Sequence, residues 1–257
     1  MSVTSLQYHL NKGVMIMSML SFIGRGSAFN TEEGNNSAYF VHEGELILID
    51  CGSNIFDRLK ASRMLDVFKR VRVIITHTHP DHIGSLGDLI FYNYFKMGTM
   101  GEKDIHVYAP YTLKLGKILQ LMGVTTDYYH LHQFDNNETM SFTHSNIRLT
   151  AVPTRHVDEL VTYGYLIDRL GTTIYYSGDA NRIPHYIMEM LDNDVIDEFY
   201  QDTCAAHYEG NVHFSLHNLS LAITSPEIRK KVYCMHLDEG FPIEKVQLMG
   251  YNVVEVS

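Results

Sequence analysis

Within VIITHTHPDHIGSLGDL, Val73 to Leu89, three histidines and an aspartate crowd into the six residues His77 to His82. Side by side in water, such groups gain little from one another. Converged on a divalent ion, imidazole and carboxylate gain a great deal, and the mixture suits zinc or an ion of similar preference. His77 and His79 are two apart, so on an extended segment they point to one side. Pro80 biases His79 toward that extended backbone. Asp81 and His82 are adjacent, and can aim at a second point where a helix begins. A hydrogen-bonded histidine loop is the plain alternative for any single histidine here, but accounts poorly for the whole string.

Elements must hold this cluster in place. RVRVIIT, directly before it, reads as a buried strand. Ahead of it, MIMSMLSFIG reads as a strand ending in a glycine turn. SAYFVHEGELILIDCG reads as a hairpin around Glu43-Gly44, and Asn54 to Lys69 as a helix. After it, helical spacing runs over Asp81–Met97 and Tyr111–Met122, with a short strand IHVYAP between them. Strands are expected around Met140–Thr143, Ile147–Val152, Tyr163–Ile167, Thr173–Ser177 and Val195–Gln201. Helices are expected over Ile183–Leu191 and Leu216–Thr224, and late strands at KKVYCMHL and VVEV. The order suits an α/β (α+β) chain in which two sheets pack face to face with helices outside, with the antiparallel strands early and the alternation of helix and strand late.

The 257 residues carry a formal charge of -10, with 45% hydrophobic and 19% charged residues. That is the profile of an ordinary globular chain, and one domain over 1–257 is expected. An acidic chain without a basic run lacks the field that gathers long nucleic acid. Cys51, Cys204 and Cys234 are an odd set with no CxxC pair, which argues against a disulfide framework and for a reducing compartment. The apolar stretch Gly13–Gly24 is too short to span a bilayer. It also lacks a cleavage site of the secretory kind, so the expected location is the cytoplasm, the host's if the chain is phage-encoded.

HxHxDH after a strand resembles the metallo-β-lactamase-fold hydrolases, whose architecture is an αββα sandwich. In that family a third His, a bridging Asp and a last His follow at later strand ends. VPTRHV, YYSGDA and YCMHLDE supply His156, Asp179 and His236 in that order. The resemblance implies two divalent ions, Zn2+ or Mn2+. One is held by His77, His79 and His156, the other by Asp81, His82 and His236, with Asp179 bridging. Two ions about 3.5–4 Å apart can hold a hydroxide between them and clamp a phosphoryl oxygen.

FIGRGSAFNTEEGNNSAYF, LIDCG and HVDELVTYGYLI resemble the ribonuclease Z branch. So does EGNVHFSLHNLSLAI, which places His213 where the branch carries an extra histidine near the scissile phosphate. Asp202 would orient it, where the branch usually has Glu. Asp81, His213 and Asp202 are the expected catalytic side chains. A protonated histidine beside a carboxylate can deliver a proton to a leaving oxygen near neutral pH. His217, four residues on, is a competitor for that role.

Only 23 positions separate His156 from Asp179 (179 − 156), which leaves no room for the tRNA-binding arm of the bacterial branch. The arm-less chain resembles cyclic-nucleotide phosphodiesterases of the anti-Pycsar type. The expected substrate is a small phosphodiester, a cyclic mononucleotide, with no long nucleic acid and no membrane. A ribonuclease Z-like RNA 3′-end endonuclease and a metallo-lactonase or thioesterase share the metal set and are the alternatives. The aromatic segments 91–104 and 125–144 can cap the site or pair subunits in a homodimer. His130 and His132 within the second segment are read as non-metal.

Overall fold

The structure is a computed structural model describing residues 18–136, 138–142 and 146–257. The part of the first expected strand before Ser18, and Thr143 of a later one, lie outside these residues.

Thirteen strands among the described residues form two sheets. The first holds β1 (Ser21–Gly24), β2 (Ser37–His42), β3 (Glu45–Ile49), β4 (Val71–Ile74), β5 (Ile105–Pro110) and β6 (His130–Phe134), side by side in chain order. The second holds β7 (Thr139–Ser141), β8 (Arg148–Thr154), β9 (Thr162–Arg169), β10 (Thr172–Tyr176), β11 (Glu198–Asp202), β12 (Val232–Met235) and β13 (Asn252–Val253), again in order. Each sheet begins antiparallel and ends parallel. The change comes at the β3–β4 pair in one and at the β10–β11 pair in the other. The expected split into an antiparallel first part and an alternating second part is therefore corrected: both halves make the same transition. The reason is connection length, since parallel neighbours need a crossover helix and antiparallel ones only a turn.

The β2–β3 hairpin turns at Glu43 and Gly44, with φ of 49° and 79°, as a two-residue primed turn requires. β6 pairs in parallel with β5, whereas β7 pairs antiparallel with β8, so these two consecutive strands belong to different sheets.

Alternation along the second sheet decides its packing. Ile174, Tyr176 and Tyr200 face a core shared with Leu46, Leu48 and Val73 of the first sheet. Tyr175 and Phe199 face the helices His185–Asp192 and Leu216–Ala222 on the other side. The result is the αββα sandwich of a metallo-β-lactamase fold.

Three expected helices are broken. The first divides into Ile55–Ala61 and Met64–Val67 at left-handed Arg63. The third starts as a short 3-10 turn, Tyr111–Leu113, and restarts at Leu115 past left-handed Lys114. The second splits into Pro80–Ile83 and Leu86–Lys96, because the Ser85 amide donates to the Cys51 carbonyl outside the helix, at 3.3 Å. No helix among the described residues is long and apolar enough to cross a membrane. The three cysteines are buried and free, and burial pushes the Cys51 and Cys234 thiols up to about 12.

Candidate metal centre

The histidine cluster follows the C-terminal end of β4, an interior strand of the first sheet. Further donors arrive past the ends of β8, β10 and β12: His156, Asp179 and His236. One group of donor atoms, from His77, His79, His156 and Asp179, lies within 4.8 Å of one another. A second group, from Asp81, His82, Asp179 and His236, meets the same limit. Asp179 belongs to both. It leaves the strand through Gly178, whose φ is +58° and whose missing Cβ would lie 2.5 Å from the Tyr163 carbonyl oxygen. A side chain at Gly178 would push Asp179 away from both groups.

Hydrogen bonds to the outer ring nitrogens fix the tautomers. The Nδ1–H of His156 donates to the Val212 carbonyl at 2.8 Å, and that of His82 to Asp50 at 2.8 Å. Thr76 Oγ1 donates to Asp50 and so accepts from Nδ1 of His77 at 3.1 Å. When neutral, each of these rings has its Nε2 lone pair directed toward Asp179. His77 Nε2 and His79 Nδ1 lie 3.0 Å apart. His82 Nε2 and Asp179 Oδ1 are 3.2 Å apart but not aligned as a hydrogen bond, and both are buried without a hydrogen-bond partner. Converging lone pairs and orphaned buried donors are what a divalent ion would satisfy, so the residues fit the ions that the sequence implies.

The electrostatics agree. Burial, with the charge of His82 beside it, holds His77 well below the ordinary histidine range, as a neutral ligand needs to be. Burial opposes charge on His82 and His236 too. There it is outweighed, by Asp179, Asp50 and Asp81 for His82 and by Asp179, Asp202 and Asp81 for His236, and both rise well above that range. Asp179 resists burial through the same pairs and stays well below the usual carboxylate range. The carboxylates that favour positive charge on these rings would equally favour a bound divalent ion at the second point.

His213 lies at the rim. Its Nδ1 is 2.7 Å from Asp202 Oδ2, its ring 4.8 Å from that of His156 and 4.9 Å from that of His236. Asp202, expected to orient His213, is thus in hydrogen-bond contact with it. Burial disfavours its charge, but Asp202 raises its pKa above the ordinary value.

A family model described as anti-Pycsar protein Apyc1 matches residues 18–255. The chain belongs to this family. An Apyc1 of Paenibacillus harenae is 27% identical over 225 residues, covering 84% of this chain and 88% of the relative. One of Bacillus phage 010DV004 is 29% identical over 251 residues, with 86% and 89% covered. Among solved structures, a diphosphatase of the PhnP family superposes with a TM-score of 0.73 at 19% identity, covering 93% of this chain and 95% of its own, which speaks to the fold.

Every residue expected in the site of this family member is brought into one cluster or touches it. His217 is not: it packs on His207, ring centroids 4.2 Å apart. His130 and His132 lie across β5–β6, where both stack on His106. Sequence reasoning missed Asp50. It sits at φ 66°, fully buried, and takes bonds from the Thr76 amide, the Thr76 hydroxyl and His82. LIDCG carried it, but an Asp at a strand end is too common a sign to single out. Asn36 was missed as well. Its side-chain oxygen accepts the amide of His236, whose φ of 58° is unusual for a residue with a side chain.

Proposed function

We propose that the protein is a metal-dependent phosphodiesterase that hydrolyses a small phosphodiester, a cyclic mononucleotide. Two divalent ions, zinc or manganese, are assigned to the two donor groups, with Asp179 common to both. When bound, such ions polarise a phosphoryl oxygen and bring the pKa of water down toward about 7. The chain's own residues supply the rest. His213 uses its free Nε2 to give a proton to the leaving ribose oxygen. Asp202 orients the ring and favours its charged form. Asp50, Thr76 and Val212 hold the ligand imidazoles in the tautomers they need.

The observation that carries this reading is the Asp202–His213 pair beside the cluster: Asp179, Asp202, His213 and His236 also present atoms within 4.8 Å of one another. Ester and lactone hydrolysis has less use for a dedicated proton donor. Polymer recognition finds no support in the chain between His156 and Asp179, which holds only β9 and β10 joined at Leu170-Gly171. The test is a panel of 3′,5′- and 2′,3′-cyclic nucleotides, a lactone panel and a short RNA, each with and without chelator. Chelator-sensitive turnover of a cyclic nucleotide is expected. Turnover confined to lactones or to RNA would overturn the assignment.

The partner assigned to the protein, besides its substrate, is a second copy of itself. The two aromatic segments meet: Phe91, Tyr94 and Phe95 pack on Tyr128 with ring centroids 5.1, 5.1 and 5.9 Å away. Phe95 and Met100 are exposed on the first of these segments, and Leu121 and Met122 at the end of the helix just before the second, apolar side chains that suit pairing.

A further inference from the structure

Phe29 is 92% exposed, more than any other large hydrophobic side chain among the described residues. A single exposed apolar residue is unremarkable by itself. Its mounting is the point of interest. Phe29 is the third residue of a turn, Ser27–Asn30, closed by the Asn30 amide on the Ser27 carbonyl at 3.1 Å. Both ends of that turn are fastened to the residue after the ligand His236. The Ser27 amide donates to the Leu237 carbonyl at 2.9 Å, and Asn30 Nδ2 donates to the same oxygen at 3.0 Å. Farther along, Asn36 accepts the His236 amide. A Cβ at Gly26 would lie 2.7 Å from the Asn30 carbonyl oxygen, so the turn packs against its own base.

Phe29 is therefore the chain neighbour of Asn30, whose side chain is bonded to Leu237, the residue that follows His236. A ring held out in water on a backbone fixed from both sides has little left to lose on stacking. We infer that Phe29 is the stacking platform for the nucleobase of the substrate. This deepens the phosphodiesterase reading and rests on it: the phosphate sits at the ligands, and the base lies over the ring at the rim. The contact uses the π-face, so it selects for a base without choosing strongly among bases.

The test uses full-length, zinc-loaded protein and two ligands, a nucleoside 5′-monophosphate and ribose 5-phosphate, titrated by calorimetry. Phe29→Ala is expected to weaken nucleotide binding roughly 10-fold, as loss of one base–aromatic stack does, and to leave ribose 5-phosphate binding and zinc content unchanged. Phe29→Tyr should restore nucleotide affinity and Phe29→Leu should not. Equal nucleotide binding by wild type and Phe29→Ala, or equal weakening of both ligands, overturns the platform. A fall in sedimenting mass that accompanies the loss also overturns it, since Phe29 would then serve a subunit contact. Wild-type protein that binds the nucleotide through Phe29 yet hydrolyses no cyclic nucleotide would sink the phosphodiesterase reading and leave the platform standing.

Discussion

The Asp202 carboxylate serves two histidines, His213 through Oδ2 at 2.7 Å and His236 through Oδ1 at 3.5 Å. It is fully buried, and its pKa is low: burial opposes its charge, but the two imidazoles hold it in the ionised form. One side chain thus couples the expected proton donor to an expected metal ligand.

That coupling separates two variants. His213→Ala should lower kcat on a cyclic nucleotide by about 10²–10⁴-fold, and far less on bis-p-nitrophenyl phosphate, whose leaving group needs no proton, with metal content unchanged. Asp202→Asn should do the same more mildly and also loosen the ion near His236. The pH profile gives the sign. Asp202 raises the His213 pKa, so the acid form persists to higher pH, and Asp202→Asn should move the alkaline limb of kcat downward. Rate measurements across pH on both substrates, with metal analysis, check this. Equal losses on the two substrates would remove the proton-donor role.

Asp179→Ala should lose both ions together, because Asp179 is the member common to the two donor groups. Elemental analysis of protein purified without chelator reads the outcome. Two ions per chain are expected in the wild type and none, or nearly none, in the variant. A variant that keeps one ion would contradict the shared role.

Asp50→Asn tests positioning without replacing any expected ligand. Loss of an outer partner of a ligating histidine typically costs about 10–100-fold in metal affinity or activity. Competition with a chromogenic chelator should show that loss, and activity should recover at saturating zinc. Unchanged affinity would mean that Asp50 only fills the core.

A second copy predicts a sedimentation-equilibrium mass near twice that of the chain at micromolar concentration. Phe95→Asp combined with Leu121→Asp should halve it, since two charges would be buried in an apolar contact. A wild-type mass of one chain would end the dimer proposal.

HxHxDH disclosed itself in sequence because its geometry is local. Residues two apart on a strand and adjacent ones at a helix start are aimed by backbone conformation alone, before any packing. His156, Asp179 and His236 could be placed only through the family resemblance, by the order in which they follow strands. The helices broken at Arg63, Ser85 and Lys114 were hidden for the opposite reason: apolar spacing continued across each break, while left-handed residues or a bond to the Cys51 loop decided the backbone. Tertiary structure alone put Asp50 against His82, 32 positions on, and the Ser27–Asn30 turn beneath Leu237, 207 positions on from Asn30. Strand order fixed which ends became neighbours, and the shared core between the sheets fixed their distance. Such contacts are made between elements and leave no periodicity in either one. The chain's own letters therefore set the chemistry of the site, and the packing of two sheets determined what stands around it.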